Sequence, residues 1–234
     1  MWERVVNGRS LNFHLAGINN ENFIMRDEET GSWWQQVTGE AILGPLKGSK
    51  LNPVFHDELA FETWRQEQPG GRVLRPDEQF TKGYVPADWD ARMAKYPVVT
   101  PVSTDEAFSP RTLIIGVTTG AAAKAYSFSD VQAKGLVQDT VGETPLALIV
   151  GSDKKSVRAF KRIVDDRTVD LFVSTEVTPL RLIDAQTGSE WDFSGKAIKG
   201  SLVGKRLQRI QILLDYWFDW KTYHPGTGVF SATN

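Results

Sequence analysis

Cysteine is absent from the chain, which removes disulfides, thiolate nucleophiles and cysteine metal sites together. A cysteine-free chain is stable in either redox compartment, so the absence leaves location open. Histidine is scarce. His14, His56 and His224 lie far apart and lack ligand spacing such as HExxH, so neither a metal nor a cofactor is expected. Charge of one sign is missing too: 27 basic residues face 29 acidic ones, and a net charge of -2 gives no general attraction to nucleic acid or anionic lipid. No stretch reaches the ~20 apolar residues that span a bilayer. The N-terminus has no basic segment followed by an apolar run, so neither a membrane anchor nor an export signal is expected. Phosphate-loop and nucleophile-elbow motifs are absent; Gly116 to Gly120 has neither the second half nor the GK[ST] ending of the former.

What the chain does have is a stretch written twice. DEETGSWWQQVTGEAILGPLKGSKL, from Asp27 to Leu51, returns as DAQTGSEWDFSGKAIKGSLVGKRL, from Asp184 to Leu207, with one residue dropped. Asp27/Asp184, Thr30/Thr187, Ser32/Ser189, Trp34/Trp191, Gly39/Gly195, Gly44/Gly200 and Leu51/Leu207 are among the identities. One folding unit used twice is the expectation. The match extends backwards, with Trp2 against Phe160 and Gly8 against Asp166, but Arg111 to Arg158 has no counterpart in the first half. Copy 1 is therefore read as N-terminally incomplete.

Local signals fill in the units. Asn7-Gly8 between apolar, β-favouring runs predicts a tight hairpin, and Asp165-Asp166 predicts its equivalent. Glycines at 39, 44 and 48 forbid a helix there. Helical spacing of Leu59, Ala60, Phe61 and Trp64 predicts a helix over 57–68, ending at Pro69-Gly70. A second helix is expected over 212–223, ending at His224-Pro225, with Trp220 standing for Trp64. A histidine cation there would suit the helix dipole. Between Arg75 and Pro110 prolines are frequent and periodicity is lost, yet Phe80, Tyr84, Trp89, Tyr96 and Phe108 are too many for a free linker. They are expected to lie on the two domains. The fold class expected is α+β and β-rich: two homologous modules of small twisted antiparallel sheets, sandwich or barrel-like, each with a C-terminal Trp-bearing helix. The boundaries are 1–75, a connector 76–110, and 111–234.

GRSLNF, an Asn-containing loop, MRDEETGSWWQQVTGEAILGPLKGSKL and a Trp-bearing helix together resemble domain-of-unknown-function family 3179 of bacteria and archaea. IIGVTTGAAAKAYSFSDVQAKGLVQDTVGETPLALIV resembles that family's opening portion. The resemblance implies tandem copies with the first one cut short, and no established activity. Family members often carry a cysteine-containing segment upstream of the point matching Trp2, and many look exported. Here the equivalent place in copy 2 reads Gly151-Ser152-Asp153-Lys154. Location is periplasmic or extracellular if an upstream part of such a protein is missing, and otherwise cytoplasmic.

Positions kept in both copies read as scaffold, and polar groups present in one copy read as retained for use. The second class includes the Asn-rich loop before Phe23, because copy 2 has Val177, Thr178 and Pro179 there, and also Gln35 and Gln36, which face Asp192 and Phe193. A ligand pocket is accordingly expected in copy 1, with Asn20, Asn22, Asp27, Trp34 and Gln36 near its wall. The bland alternative is that loop Asn side chains bond only to their own turn. Acid pairs such as Glu28/Glu29 fall in turns and make poor candidates for a glycosidase pair. Two functions stand open: a non-catalytic binding or assembly module, pairing with a small polar ligand or with a protein through a sheet edge, or an enzyme or its remnant acting on a polar small molecule or glycan at the Asn-rich pocket.

Overall fold

The computed structural model describes residues 1–19, 22–99, 107–174 and 179–231. Two compact units divide the chain, Met1–His56 and Asp57–Asn234.

In the first unit, Asn7 (φ 51°) and Gly8 (φ 78°) close a two-residue hairpin in which Val6 faces Arg9. Positive φ at both central residues matches the right-handed strand twist, which is why Asn-Gly marks this turn. A four-stranded antiparallel sheet follows, in the order Phe13–Asn19, Asn22–Asp27, Trp33–Gln35, Glu40–Leu43. One face carries Trp34, which is fully buried with Val6, Leu11, Ala41 and Leu51. Phe13 meets the Trp34 ring edge-on at 5.8 Å.

The buried end of that sheet is polar and fully wired. Asp27 accepts hydrogen bonds from Trp34 Nε1 (2.8 Å), Thr30 N (2.6 Å) and Thr30 Oγ1 (3.0 Å). Thr30 Oγ1 lies 2.7 Å from Ser32 Oγ, which accepts from Leu46 N at 3.0 Å. The segment from Asp184 makes the same set: Trp191 Nε1 to Asp184 at 3.0 Å, Thr187 N at 2.6 Å, Thr187 to Ser189 at 2.7 Å, and Leu202 N to Ser189 Oγ at 3.1 Å. Both segments also break register just before the tryptophan. Gly44 (φ +99°) and Gly200 (φ +93°) are required by space as well as by φ, since a Cβ at either would lie 2.7 Å from the Cα of the serine below.

The described residues of the second unit form three four-stranded sheets. Arg209–Ile210, Val157–Lys161, Thr144–Val150 and Leu136–Val141 form one. Another runs Ile212–Tyr216, Leu113–Thr119, Ala122–Ser127, Gly228–Val229, its last pair parallel. These two share a core of Ile115, Tyr126, Leu146, Leu148 and Ile212. The third sheet, Leu171–Ser174 to Ala197–Lys199, packs Trp191 and Leu182 against Phe160 and Ile149.

Among the described residues, four α-helices punctuate the unit: α1 (Phe61–Glu67), α2 (Trp89–Met93), α3 (Phe128–Lys134) and α4 (Trp217–Tyr223). Ser127 caps α3, accepting from Asp130 N, and Gly135 (φ 72°) ends it. Two expectations need correcting. The apolar run 212–216 is a strand paired with Leu113–Thr119 rather than the first turns of α4; its partner strand overrode a helix-compatible pattern. The expected start of α1 at Asp57 moves to Phe61, because the Ala60 N–H donates to Ser156 Oγ and Asp57 is held by arginines.

The two tryptophan helices also differ in depth. In α4, Trp217 and Trp220 are buried against Ile114 and Ala125, and Trp220 Nε1 donates to Thr227 Oγ1 at 2.9 Å. A Cβ at Gly116 would come within 2.2 Å of the Trp220 ring. In α1 no residue is buried, and Trp64 stacks on exposed Phe61 at 5.6 Å. Nor do most connector aromatics lie on a core: Phe80, Tyr84, Trp89 and Tyr96 are exposed, and only Phe108 meets a buried ring, Trp217, at 5.3 Å. Arg111 donates to the Tyr96 carbonyl and lies over the rings of Tyr216 and Phe218, tying that part of the connector to the strand and helix around Tyr216 and Phe218.

Candidate functional site

The described residues of the Asn-rich pocket expected in the first unit divide between the two faces of its sheet. Strand Asn22–Asp27 is unbroken, and residues an odd number apart on a strand point to opposite faces. Met25 and Asp27 share the Trp34 face, whereas Asn22 belongs with Ile24 and Gln35 on the other. Trp34 has no exposed surface, and the donors of Thr30 and Trp34 occupy the Asp27 carboxylate. Burial pushes that carboxyl upward, but these donors outweigh it and hold its pKa below the ordinary value. Asp27 and Trp34 are therefore core elements. Gln36 is exposed, its N–H bonded to the Phe23 carbonyl and its own carbonyl accepting from Trp2 Nε1. Asn20 lies outside the described residues.

The second unit contains a concave polar site instead. A hollow of about 670 Å³ opens between α1, the Gly151–Asp153 turn, and the strand ends at Arg181, Asp192–Ser194 and Arg206–Arg209. A second hollow of about 530 Å³ shares Glu67, Gln68 and Arg209 with it and is walled by Phe61, Trp64, Asp57 and Arg158. Both volumes fall in the range of small-molecule sites.

Arg158 is the keystone of this wall. Its side chain is 2% exposed, and it donates to Asp57 (2.8 and 3.1 Å) and in bidentate fashion to Glu67 (2.7 and 2.6 Å). Its guanidinium lies 4.7 Å from the Phe193 ring centre. Arg209 adds a 2.7 Å bond to Asp57. Burial alone would lower the Arg158 pKa; the two carboxylates reverse that and raise it. The pairing fixes α1 by charge, because its own side chains supply no buried apolar anchor.

Asp153 makes the other attachment. It accepts from Thr63 Oγ1 (2.6 Å), Ser156 Oγ and N, and Lys155 N (2.9 Å). Burial would push its carboxyl up, but Ser156, Thr63 and the backbone donors bring it down to about 2, so it is ionised at any physiological pH. Among the described residues lining the larger hollow, Ser152 Oγ accepts from Leu180 N and Ser194 Oγ donates to Asp192. The Glu67, Asp153 and Asp192 carboxylates and the Ser152 and Ser194 hydroxyls are thus engaged within the wall itself.

A second electrostatic feature lies at α4. Burial, together with the charge and hydrogen bond of Asp219, pushes Asp215 up to about 8, with Glu58 adding to the repulsion. His224, expected as a cation at the helix end, lies 3.8 Å from the Trp220 ring, and burial holds its pKa below the ordinary value. No group of acidic and histidine side chains suited to a metal occurs among the described residues.

Sequence reasoning missed Arg158, Asp153, Arg181 and Arg209, although its own sorting rule reaches two of them. Arg181 faces Ile24 in the alignment and Arg209 faces Pro53, so both are polar in one copy only. Asp57 and Glu67 gave no signal, since their partner lies about a hundred residues away in sequence.

No curated protein and no solved structure matches the chain. A family model does, over residues 1–227, and its scope takes in both Asp–Trp segments, α1 and every residue of the polar hollow. The chain belongs to the family described as protein of unknown function DUF3179.

Proposed function

We propose that the chain is a non-catalytic binding module whose small polar ligand occupies the hollow beside α1, and that its two Asp–Trp segments descend from tandem copies of one ancestral module. The observation that carries the binding reading is the wall itself. Arg158, Asp153 and their partners hold α1 over the hollow by buried ionic and hydrogen bonds, a costly arrangement where plain apolar packing would fix a helix more cheaply. Common ancestry draws support from the matched hydrogen bonds around Asp27 and Asp184, and from the register break shared by both segments. The alternative, an enzyme acting at the Asn-rich loop, loses ground because Asn22 and Asp27 sit on opposite faces of one strand.

The test is a ligand screen by thermal shift on the full chain, followed by amide chemical-shift mapping of the hits. Binding at this site predicts perturbations at 62–68, 151–153 and 192–194. Hits that all map to other surfaces, or an absence of hits across polar metabolites and oligosaccharides, would remove the reading.

A further inference from the structure

We infer that the ligand of the larger hollow bears a single carboxylate, gripped by Arg181 and Arg206. The inference deepens the binding reading above and rests on it. Among the described residues, three arginines and four carboxylates line the space, so formal charge alone favours no anion. Occupancy decides the matter. Glu67 takes both of its bonds from Arg158, and Asp153 is filled by Thr63, Ser156 and Lys155. Asp192 accepts from Ser194 and from Lys196 N. Arg209 is committed to Asp57.

Two guanidiniums remain with donors to give. Among the described residues, Arg181 donates only to the carbonyl of its neighbour Leu180, at 3.2 Å, and Arg206 has no hydrogen-bond or ion-pair partner. A planar fork of N–H donors matches a carboxylate in a bidentate manner, and a hollow that already holds filled acceptors needs the ligand to bring acceptors of its own. A dianion is disfavoured here. Asp153, which is ionised, shares the wall with Asp192 and Glu62, and this acidic lining repels a second negative charge. The chemical class is therefore a monocarboxylate such as a sugar acid, an amino acid or a peptide C-terminus.

The experiment pairs each monocarboxylate of a panel of sugar acids, amino acids and tripeptides with its neutral primary amide, and adds inorganic phosphate. Thermal shift and calorimetric titration are read on the full chain and on the Arg206→Gln and Arg181→Gln variants. At least one carboxylate should bind about tenfold or more tightly than its amide, the order one charge-assisted hydrogen bond contributes, and lose that advantage in Arg206→Gln. Arg206 is exposed, so its variant keeps the wild-type melting temperature without ligand, and any loss reports on binding. If amides bind as well as acids, if phosphate binds more tightly than any carboxylate, or if Arg206→Gln leaves the preference intact, the inference is overturned. Neutral ligands mapping to the hollow while carboxylates do not would overturn this inference alone and leave the binding reading standing.

Discussion

Asp215 shows how far a single side chain can be set by its neighbours. A carboxyl beside Asp219 and near Glu58, and itself mostly buried, keeps its proton up to about pH 8. In the unfolded chain the same group titrates near its ordinary value of 3.8. Below that value both states are protonated and the group is neutral towards stability. As pH rises from about 4 to about 8 the unfolded chain has released the proton and the folded chain retains it, so folding stability falls across this window. Asp215→Asn removes the titration while its Oδ1 keeps the bond from Tyr216 N. Thermal melts from pH 4 to 9 should show the variant matching wild type at pH 4 and gaining on it steadily towards pH 8; a constant offset at every pH would show that Asp215 is not the titrating group. Asp27 and Asp153 carry the opposite shift, because donors rather than carboxylates surround them.

At the scale of elements, α1 and α4 have similar sequences of events, a tryptophan on a short helix ended by a Pro-Gly turn, and different fastening. Trp220 is 2% exposed, bonded to Thr227 and pressed over Gly116, so Trp220→Ala should cost about 3–5 kcal/mol of unfolding free energy. Trp64 is only half-buried and stacks on an exposed ring, so Trp64→Ala should cost well under about 2 kcal/mol. Removing Arg158 should hurt α1 more than removing its tryptophan, since Asp57 and Glu67 would then face one another without their shared cation. Urea titrations of the three variants give the comparison. Equal losses for Trp64→Ala and Trp220→Ala would mean that both helices are core elements after all.

For the whole molecule, much of the architecture was legible in the chain because it rests on local chemistry. Asn7-Gly8 and Asp165-Asp166 announced hairpins through positive φ, and the punctuating glycines announced the short strands. The wall around Arg158 was not legible, because Arg158 meets carboxylates about a hundred positions away and no short-range pattern encodes that meeting. The expected boundary at residue 75 follows the Pro-Gly turn; the compact units part at His56/Asp57, with α1 in the second. This division makes a strong claim. Every cluster of the second unit's core, and every residue lining either hollow, comes from Asp57 onward, while the first unit's core rests on Val6, Leu11, Trp34, Ala41 and Leu51. A chain of residues 57–234 should then fold alone, with a cooperative melt, dispersed amide resonances and the ligand preference of the full chain. Residues 1–56 alone fall below the size at which one small core reliably sustains a fold, and should show collapsed amide dispersion. Failure of the 57–234 chain to fold would mean that its apparently self-contained cores depend on residues before Asp57.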